Sequence, residues 1–387
     1  MYRMGQKEVD RAAKVILSGR LFRYDKEAGE CDLFERRYAK YLGVKRCILT
    51  PSGTASLQAA LVGLGAGPGD EVIVPACTYM ATALAVLAVG AIPVIVDIDE
   101  SITMDPKALD RAIGPRTRAV IPVHMWGLPC DMGAIMKVAR KHKIRVVEDA
   151  CQAIGGAYKG RKLGSIGDMG TFSFNYFKNI SCGEGGAVAS NNEEWMWRAG
   201  CLNDCCRFYW DGRDPKRRVF AGSGARVSEI QGALLNAQLD RLDPMIRAMR
   251  KQKIRILKET EDTGLTPIRA NSLEHECGTH VMYTLPDAEA AGAFAKAAGG
   301  TVASKTGRHV YTEWDPVLEH RGAHHPAMDP YLMEENAGRR MDYSKDMCAR
   351  SLDILHRTVF IRTHPDRTRA NVTALIGKIE RAASAVL

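Results

Sequence analysis

The sequence predicts an α/β protein whose first two-thirds form a large domain around a mainly parallel seven-stranded sheet, followed by a smaller α+β domain. Seven short apolar runs alternate with segments of helical periodicity, which is typical of a doubly wound sheet. The alternation stops near Arg247, where a long polar helix begins. We therefore expect a large domain over 1–246 and a small C-terminal domain over 247–387.

The strands are predicted from apolar runs that end in polar or glycine-containing turns. In chain order they are Cys47–Thr50, Glu71–Val74, Pro93–Asp97, Ala119–Val123, Arg145–Glu148, Met169–Phe174 and Gly186–Ser190. Helices are predicted at Ala55–Gly63, Ala81–Val89, Asp131–His142, Val227–Leu242 and Arg247–Thr260. The segment Thr312–Arg340 is rich in His, Pro and Gly and is expected to be irregular. Right-handed crossovers between parallel strands would place functional loops at the carboxyl ends of the strands.

The 387 residues carry a net charge of +9 at pH 7, from 54 Lys and Arg against 45 Asp and Glu. Basic residues are interleaved with acidic ones, and no basic run alternates with aromatics, so no nucleic-acid partner is expected. A basic active-site mouth that attracts anionic substrates is another use of this charge. The longest apolar stretch, Ala81–Val96, is broken by Pro93 and is too short to cross a bilayer. Because the N-terminus is charged and lacks an apolar segment, we expect a cytoplasmic protein without a membrane partner.

The 11 cysteines are scattered through predicted strands and helices, which favours reduced thiols over a disulfide framework. Two local groups contain residue types that bind metals. They are Cys201 with Cys205 and Cys206, and His275 with Cys277 and His280. Neither group has the paired spacing of a structural zinc site, so no metal is expected.

Three segments carry residue types that suggest chemistry. A buried strand in RVVEDACQAI delivers Glu148 and Asp149 to its carboxyl end. In GDMGTFSFNYFKNISCGEGG, Lys178 follows an aromatic strand and precedes a glycine-dense turn. An amine held between aromatics is desolvated, which lowers its pKa and makes it nucleophilic, although a solvated lysine at a loop edge fits the same local pattern.

The third segment, TPSGTASL at Thr50–Leu57, joins a strand to a helix. The backbone N–H groups and hydroxyls of such a junction form an anion site, although Ser-Gly-Thr also suits a helix N-cap. The sequence contains neither a GxGxxG fingerprint nor a Walker A motif. A dinucleotide or the phosphates of ATP are therefore not the expected anion.

Taken together, these segments resemble the sugar aminotransferases of the DegT/DnrJ/StrS type, which belong to the fold-type I enzymes that use pyridoxal 5'-phosphate (PLP). The resemblance rests mainly on EDACQAIGGAYKG, LGSIGD, and a lysine followed by CGEGGAV. Within the family, the sequence of these motifs is most similar to that of the aminotransferases that place nitrogen on 8-oxo-3,8-dideoxy-octulosonate. The resemblance implies an aminotransferase that uses glutamate or glutamine as donor and a keto or aldehydo sugar as acceptor.

The resemblance also implies roles for individual residues. Lys178 would hold PLP as a Schiff base and shuttle a proton during transamination, and Asp149 would pair with the protonated pyridine nitrogen. Other residues would complete the cofactor site: Gln152 near the 3'-oxygen, Tyr79 stacked on the ring, and Gly53, Thr54 and Ser173 at the phosphate. Candidate substrate contacts are Arg23, Tyr24, His124, Arg226 and the loop His309–Trp314.

Enzymes of this fold are homodimers with shared active sites, so the run Gly222–Arg226 is expected to reach the partner subunit's cofactor. The family usually reads G-x-N-x-R here, and its Asn position is Gly224 in this chain. Either Ser223 replaces that amide or the phosphate is held from one subunit only.

Two other functions are alternatives for the same sequence pattern. Sugar dehydratases of the family that depend on pyridoxamine phosphate (PMP) carry His at the lysine position, and position 178 is Lys. A PLP-binding regulator without turnover is disfavoured by the intact pair Asp149 and Lys178. The acceptor stays open among nucleotide-linked keto sugars, cyclitol ketones such as inosose, and octulosonate-type aldehydes.

Overall fold

The computed structural model describes residues 4–24, 28–204, 209, 212 and 214–387. Its large sheet has seven strands in the order β1-β9-β8-β5-β4-β2-β3. The strands are β1 (Arg46–Thr50), β2 (Glu71–Pro75), β3 (Ile92–Val96), β4 (Thr117–Val120), β5 (Arg145–Asp149), β8 (Met169–Ser173) and β9 (Gly186–Ser190). A two-stranded ribbon, β6 (Ala157–Tyr158) with β7 (Arg161–Lys162), lies outside it. The predicted mainly parallel seven-stranded sheet is confirmed.

Only β9 runs against its neighbours in the large sheet, because it pairs antiparallel with both β1 and β8. A parallel neighbour of β8 would need a helical crossover, but residues 174–185 return without a helix. This short return carries Lys178. The topology therefore keeps the lysine at the edge of the sheet where β5 and β8 end.

Helices cover both faces of the large sheet, whose strands are accordingly buried and apolar. They are α1 (Gln6–Ser18), α2 (Glu30–Leu42), α3 (Gly53–Leu64), α4 (Ala81–Ala88), α5 (Pro106–Ala112), α6 (Met132–His142), α7 (Glu193–Asn203) and α8 (Glu229–Leu239). Among them, α3 packs against α7, β8 and β9. Its N-terminus thereby lies beside the carboxyl end of β8.

The C-terminal part, called the small domain below, begins with the long helix α9 (Leu242–Glu259), inside which the predicted boundary at 246/247 falls. A four-stranded antiparallel sheet follows, in the order β10-β11-β13-β12. Its strands are β10 (Thr266–Pro267), β11 (His280–Thr284), β12 (Thr301–Val302) and β13 (Thr358–Arg362), and its helices are α10 (Ala288–Ala298), α11 (Asp315–Leu318), α12 (Ala349–Arg357) and α13 (Arg369–Ser384). Apart from the short α11, the predicted irregular segment Thr312–Arg340 contains only single 3-10 turns.

The longest apolar stretch of the sequence is predicted to be too short to cross a bilayer. No helix in the part of the chain that the structure describes combines the length and the apolar character that a bilayer crossing requires.

Candidate active site

A cavity of about 640 Å³ lies where β5 and β8 end, between the large sheet and the small-domain sheet. All seven residues predicted to hold the cofactor line it: Gly53, Thr54, Tyr79, Asp149, Gln152, Ser173 and Lys178. They come from four separate chain segments. The fold therefore brings together in one cavity residues that the sequence related only through the motifs of the family resemblance.

The carboxylate of Asp149 is buried and held in place by two donors. Thr82 Oγ1 donates to Oδ2 at 2.9 Å, and the backbone N–H of Cys151 donates to Oδ1 at 3.1 Å. Thr82 in turn lies 2.8 Å, hydroxyl to hydroxyl, from Thr78. Because an ionised carboxylate accepts about four hydrogen bonds, Asp149 keeps acceptor capacity for a protonated ring nitrogen. Thr82, which lies in the first turn of α4, was not among the site residues predicted from the sequence.

An anion cradle forms where α3 begins. Ser52 is the N-cap, and its hydroxyl accepts from the N–H of Ala55 at 3.1 Å. The first N–H groups of a helix have no partner inside the helix, so those of Gly53 and Thr54 are available to an anion. A Cβ atom at Gly53 would come within 2.8 Å of the Ser173 Cβ and 3.0 Å of the Cys151 sulfur. Glycine is therefore required for the helix to approach Ser173 this closely.

Lys178 is half-buried in the turn after β8, where its N–H donates to the carbonyl of Asn175 at 3.1 Å. The next residue, Asn179, is buried and donates to the carbonyl of Ile154 at 2.8 Å, which fixes the turn against the loop after β5. At the far end of the return, a Cβ at Gly186 would lie 2.3 Å from the carbonyl oxygen of Ser52. The glycine-dense turn thus lets β9 pass next to the anion cradle.

Gln152 and Trp126 form a second wall. The N–H of Trp126 donates to Gln152 Oε1 at 3.3 Å, so the amide NH2 of Gln152 is left as a donor. Trp126 has φ +50, an unusual value for a bulky residue. Its carbonyl accepts from Thr279 Oγ1 at 2.6 Å and from His280 Nδ1 at 3.2 Å, which ties this strained turn to β11. Trp126 was not among the site residues predicted from the sequence.

The small domain covers the mouth of the cavity near Tyr79. The N–H of Met80 donates to the carbonyl of Arg308 at 2.9 Å, and Cys77 forms an antiparallel bridge with Val310. Consequently the Arg308 guanidinium lies 5.3 Å from the centre of the Tyr79 ring, and His309 lines the cavity. Part of the candidate loop His309–Trp314 therefore borders the site.

The substrate role predicted for His124 is wrong in this structure. Its ring is fully buried, its Nε2 donates to Glu148 Oε2 at 2.9 Å, and its Nδ1 accepts from the N–H of Cys130 at 3.1 Å. Glu148 also accepts from the backbone N–H groups of Gly164 and Gly167 at 2.9 and 2.6 Å. Both nitrogens of His124 are used inside the core, which leaves nothing for a substrate.

The other predicted substrate contacts lie outside the cavity of a single chain. Arg226 pairs with Asp204 at 3.0 Å. The hydroxyl of Ser223 donates to the carbonyl of Leu202 at 3.1 Å, and Gly224 has φ +65 with open space around it. Tyr24 packs against Phe22 at 5.8 Å, and Arg23 is buried in an ion pair with Glu35 at 2.6 Å. The roles of Tyr24 and Arg226, and the reach of the run Gly222–Arg226 to a partner, stay predictions.

The two groups considered for metal binding have different outcomes. Cys205 and Cys206 lie outside the described residues. Cys277 donates its thiol to the carbonyl of Ile154 at 3.6 Å, and His280 donates to Trp126 as above. Across the described residues, no cluster of three or more His, Cys, Asp or Glu side chains could hold a metal ion.

The comparisons with known proteins agree with this geometry. Residues 3–295 match the model of the DegT/DnrJ/EryC1/StrS aminotransferase family. GDP-perosamine synthase from Caulobacter vibrioides is 44% identical over 219 residues, 56% of this chain and 57% of the relative. L-glutamine:2-deoxy-scyllo-inosose aminotransferase from Streptoalloteichus tenebrarius is 39% identical over 265 residues, 66% of this chain and 62% of the relative. The chain thus spans 57% and 62% of the lengths of these two relatives.

A solved structure extends the match to the whole fold. The structure of an aminotransferase from Psychrobacter cryohalolentis superposes on this chain with a TM-score of 0.78. The match covers 99% of this chain and 98% of that aminotransferase. At 24% identity it shows that the fold is shared. The predicted fold of the PLP-dependent aminotransferases is therefore confirmed.

Proposed function

Because the chain belongs to the DegT/DnrJ/EryC1/StrS aminotransferase family, we propose that it transfers an amino group from glutamate or glutamine to a keto or aldehydo sugar. The observation that supports this most directly is one cavity that contains Lys178, the buried Asp149 and the anion cradle of α3. PLP is the cofactor of this family, and the donor set fits it. A primary amine, a carboxylate and unpaired helix N–H groups are the partners that an aldehyde, a ring nitrogen and a phosphate require.

PLP, when bound, supplies an electron sink for the substrate carbon that loses a proton. Each protein group has a separate task around it. Lys178 Nζ would hold the cofactor and then take the proton from the α-carbon of the donor. Asp149 would keep the ring nitrogen protonated, and the hydroxyl of Thr82 keeps that carboxylate oriented. The amide of Gln152, held by the Trp126 N–H, would donate to the cofactor's 3'-oxygen.

The charge of the cavity supports anionic substrates. Arg308 and Arg362 line it from the small domain, and within the described part of the chain neither guanidinium is paired with a carboxylate. The lining carboxylates are Asp149, which is assigned to the cofactor, and Glu184. Two uncompensated cations suit the carboxylates of glutamate and an acidic or phosphorylated acceptor. An octulosonate-type sugar meets that requirement and remains our proposal, whereas the names of the two relatives above refer to perosamine and inosose.

One experiment distinguishes the proposed aminotransferase from the two alternatives, a PLP-binding regulator and a sugar dehydratase. The PLP-loaded protein is mixed with glutamate or glutamine and a panel of keto sugars, cyclitol ketones and ulosonic aldehydes. Formation of the oxo acid and of an aminated sugar is then measured. An aminotransferase gives both products. A regulator gives a spectral change without either product, and a dehydratase gives a deoxygenated sugar.

Borohydride locates the cofactor in the same preparation. Reduction should leave a pyridoxyl group on Lys178, detected by peptide mass. Lys178→Ala should lose the visible absorbance and the transamination, while Lys251→Ala, an exposed lysine on α9, serves as matched control. Full transamination by Lys178→Ala would contradict the proposal.

A further inference from the structure

His309 lines the cavity from the small domain. Its ring lies beside two walls of the cavity, with its centroid 5.6 Å from that of Tyr79 and 6.1 Å from that of Trp126. The loop that carries it is fixed by the hydrogen bond from Met80 to Arg308 and by the bridge from Cys77 to Val310. The imidazole is therefore held by two backbone attachments to the segment between β2 and α4, which also carries Tyr79.

The hydrogen bonds of His309 fix its tautomer. Its Nδ1 lies 3.2 Å from the carbonyl of Thr306. A carbonyl only accepts, so Nδ1 carries the hydrogen and Nε2 carries the lone pair. Burial lowers the pKa of His309 below its ordinary value; the bond to Thr306 opposes this shift, and the charges of Lys178 and Arg308 add to it. Near neutral pH the ring is therefore a neutral base.

A neutral base is needed at this point of the reaction. An amino acid arrives largely as its ammonium form near neutral pH, and an ammonium nitrogen has no lone pair with which to form a bond to carbon. Lys178 is occupied in holding the cofactor, and Asp149 accepts from Thr82 and Cys151. Of the titratable groups that face His309, Tyr79 is a phenol and Arg308 is always protonated.

We propose that His309 is a catalytic residue, the base that deprotonates the incoming amino donor. Its Nε2 accepts one proton from the donor's ammonium group, which gives a neutral amine and an imidazolium. The proton leaves Nε2 again when the product amine is released as an ammonium ion. This inference rests on the proposed aminotransferase function.

The test uses the donor half-reaction alone, so the acceptor sugar need not be known. PLP-loaded protein is mixed with L-glutamate, and separately with L-glutamine, and the loss of visible absorbance is followed across the pH range in which histidine titrates. His309→Asn is the main variant, because its amide can replace the Nδ1 bond to Thr306 but offers no base. His309→Ala leaves space for added imidazole, and His356→Ala, an exposed histidine on α12, is the matched control.

We expect both His309 variants to slow the donor half-reaction by about 100-fold near neutral pH, the usual contribution of a positioned general base. The wild-type rate should fall as pH drops through the lowered pKa of His309, and the variants should lack this acid limb. Imidazole should restore His309→Ala in proportion to its neutral form. Bound cofactor per subunit, read from its absorbance without any donor, should match the wild type.

Three results would overturn the inference. The first is a rate within twofold of wild type in His309→Asn. The second is a slow variant that keeps the acid limb and does not respond to imidazole. The third is loss of that limb in Glu184→Gln instead, which would make Glu184 the base. If the wild type reacts with neither donor, it is the proposed function that fails.

Discussion

Removing the hydroxyl of Thr82 should slow catalysis, because Asp149 then loses a hydrogen-bond donor. The change removes no predicted substrate contact. Thr82→Val keeps the shape of the side chain but deletes the 2.9 Å donor to Asp149 Oδ2. A hydrogen bond to a charged group contributes about 1.5–3 kcal/mol. If half of that loss or more is expressed in the transition state, the rate falls roughly four- to 160-fold, because each 1.36 kcal/mol is tenfold.

The assay separates this effect from a general loss of stability. The donor half-reaction is followed by cofactor absorbance, and urea unfolding gives the free energy of unfolding of the same preparations. Thr82→Ser should recover most of the rate because it restores the donor. Thr78→Val, which contacts Thr82 and not Asp149, should cost much less. A wild-type rate in Thr82→Val, or equal damage in Thr82→Ser, would show that this hydrogen bond does not support catalysis.

Three further predictions concern the cofactor and the anionic substrates. Asp149→Ala should retain PLP by absorbance yet lose at least about 100-fold in rate, by analogy with the removal of other electrostatic partners; near-native activity would mean that another acid serves the ring. Added salt should lower kcat/KM for the true acceptor, and Arg362→Gln should flatten that dependence, because long-range attraction is screened; a salt-independent wild type would argue against an anionic acceptor. Gly224→Asn should fold, since Asn tolerates the observed φ of +65 better than most residues, and should slow PLP release on dialysis; unchanged release in both Gly224→Asn and Ser223→Ala would mean that the run does not reach a phosphate.

The large domain could be predicted well because its strands are short, apolar and bounded by turns. All seven predicted strands are present, with ends that differ by a few residues. The site residues were implied by the family resemblance, and one rule explains why they share a cavity, since the carboxyl ends of neighbouring parallel strands meet at one edge. Asp149 pairs in register with Thr171 of β8, which brings the two motif segments side by side. Their roles in catalysis remain predictions.

His124 shows where the same rule fails. It follows a strand, as functional residues do, but its partner Glu148 belongs to β5 and faces the core. The sequence shows that both are polar residues at strand ends, and it does not show that they satisfy each other. Pairing between side chains of neighbouring strands depends on register and rotamer, which periodicity does not encode.

Apart from the loop His309–Trp314, the small-domain half of the site was beyond the sequence for a different reason. Arg362 and His280 are 82 positions apart, and they become neighbours only because β11 and β13 pair with these two residues opposite each other. An arginine at the end of an antiparallel strand is a common feature of proteins. It therefore gives neither β11 nor β13 a recognisable motif.

The strained turn at Trp126 joins the two halves of the site, together with the backbone contacts of Arg308 and Val310. Its N–H orients Gln152 on the cofactor side, and its carbonyl is held by Thr279 and His280 of the small domain. The following Gly127 also has positive φ, and a Cβ there would lie 2.6 Å from Thr279 Oγ1, so the close approach requires glycine. Strain of this kind persists only where the surroundings over-determine it. Because the same residue is bonded to both domains, a shift of β11 would also move the amide of Gln152, so the position of the small domain bears directly on the cofactor pocket.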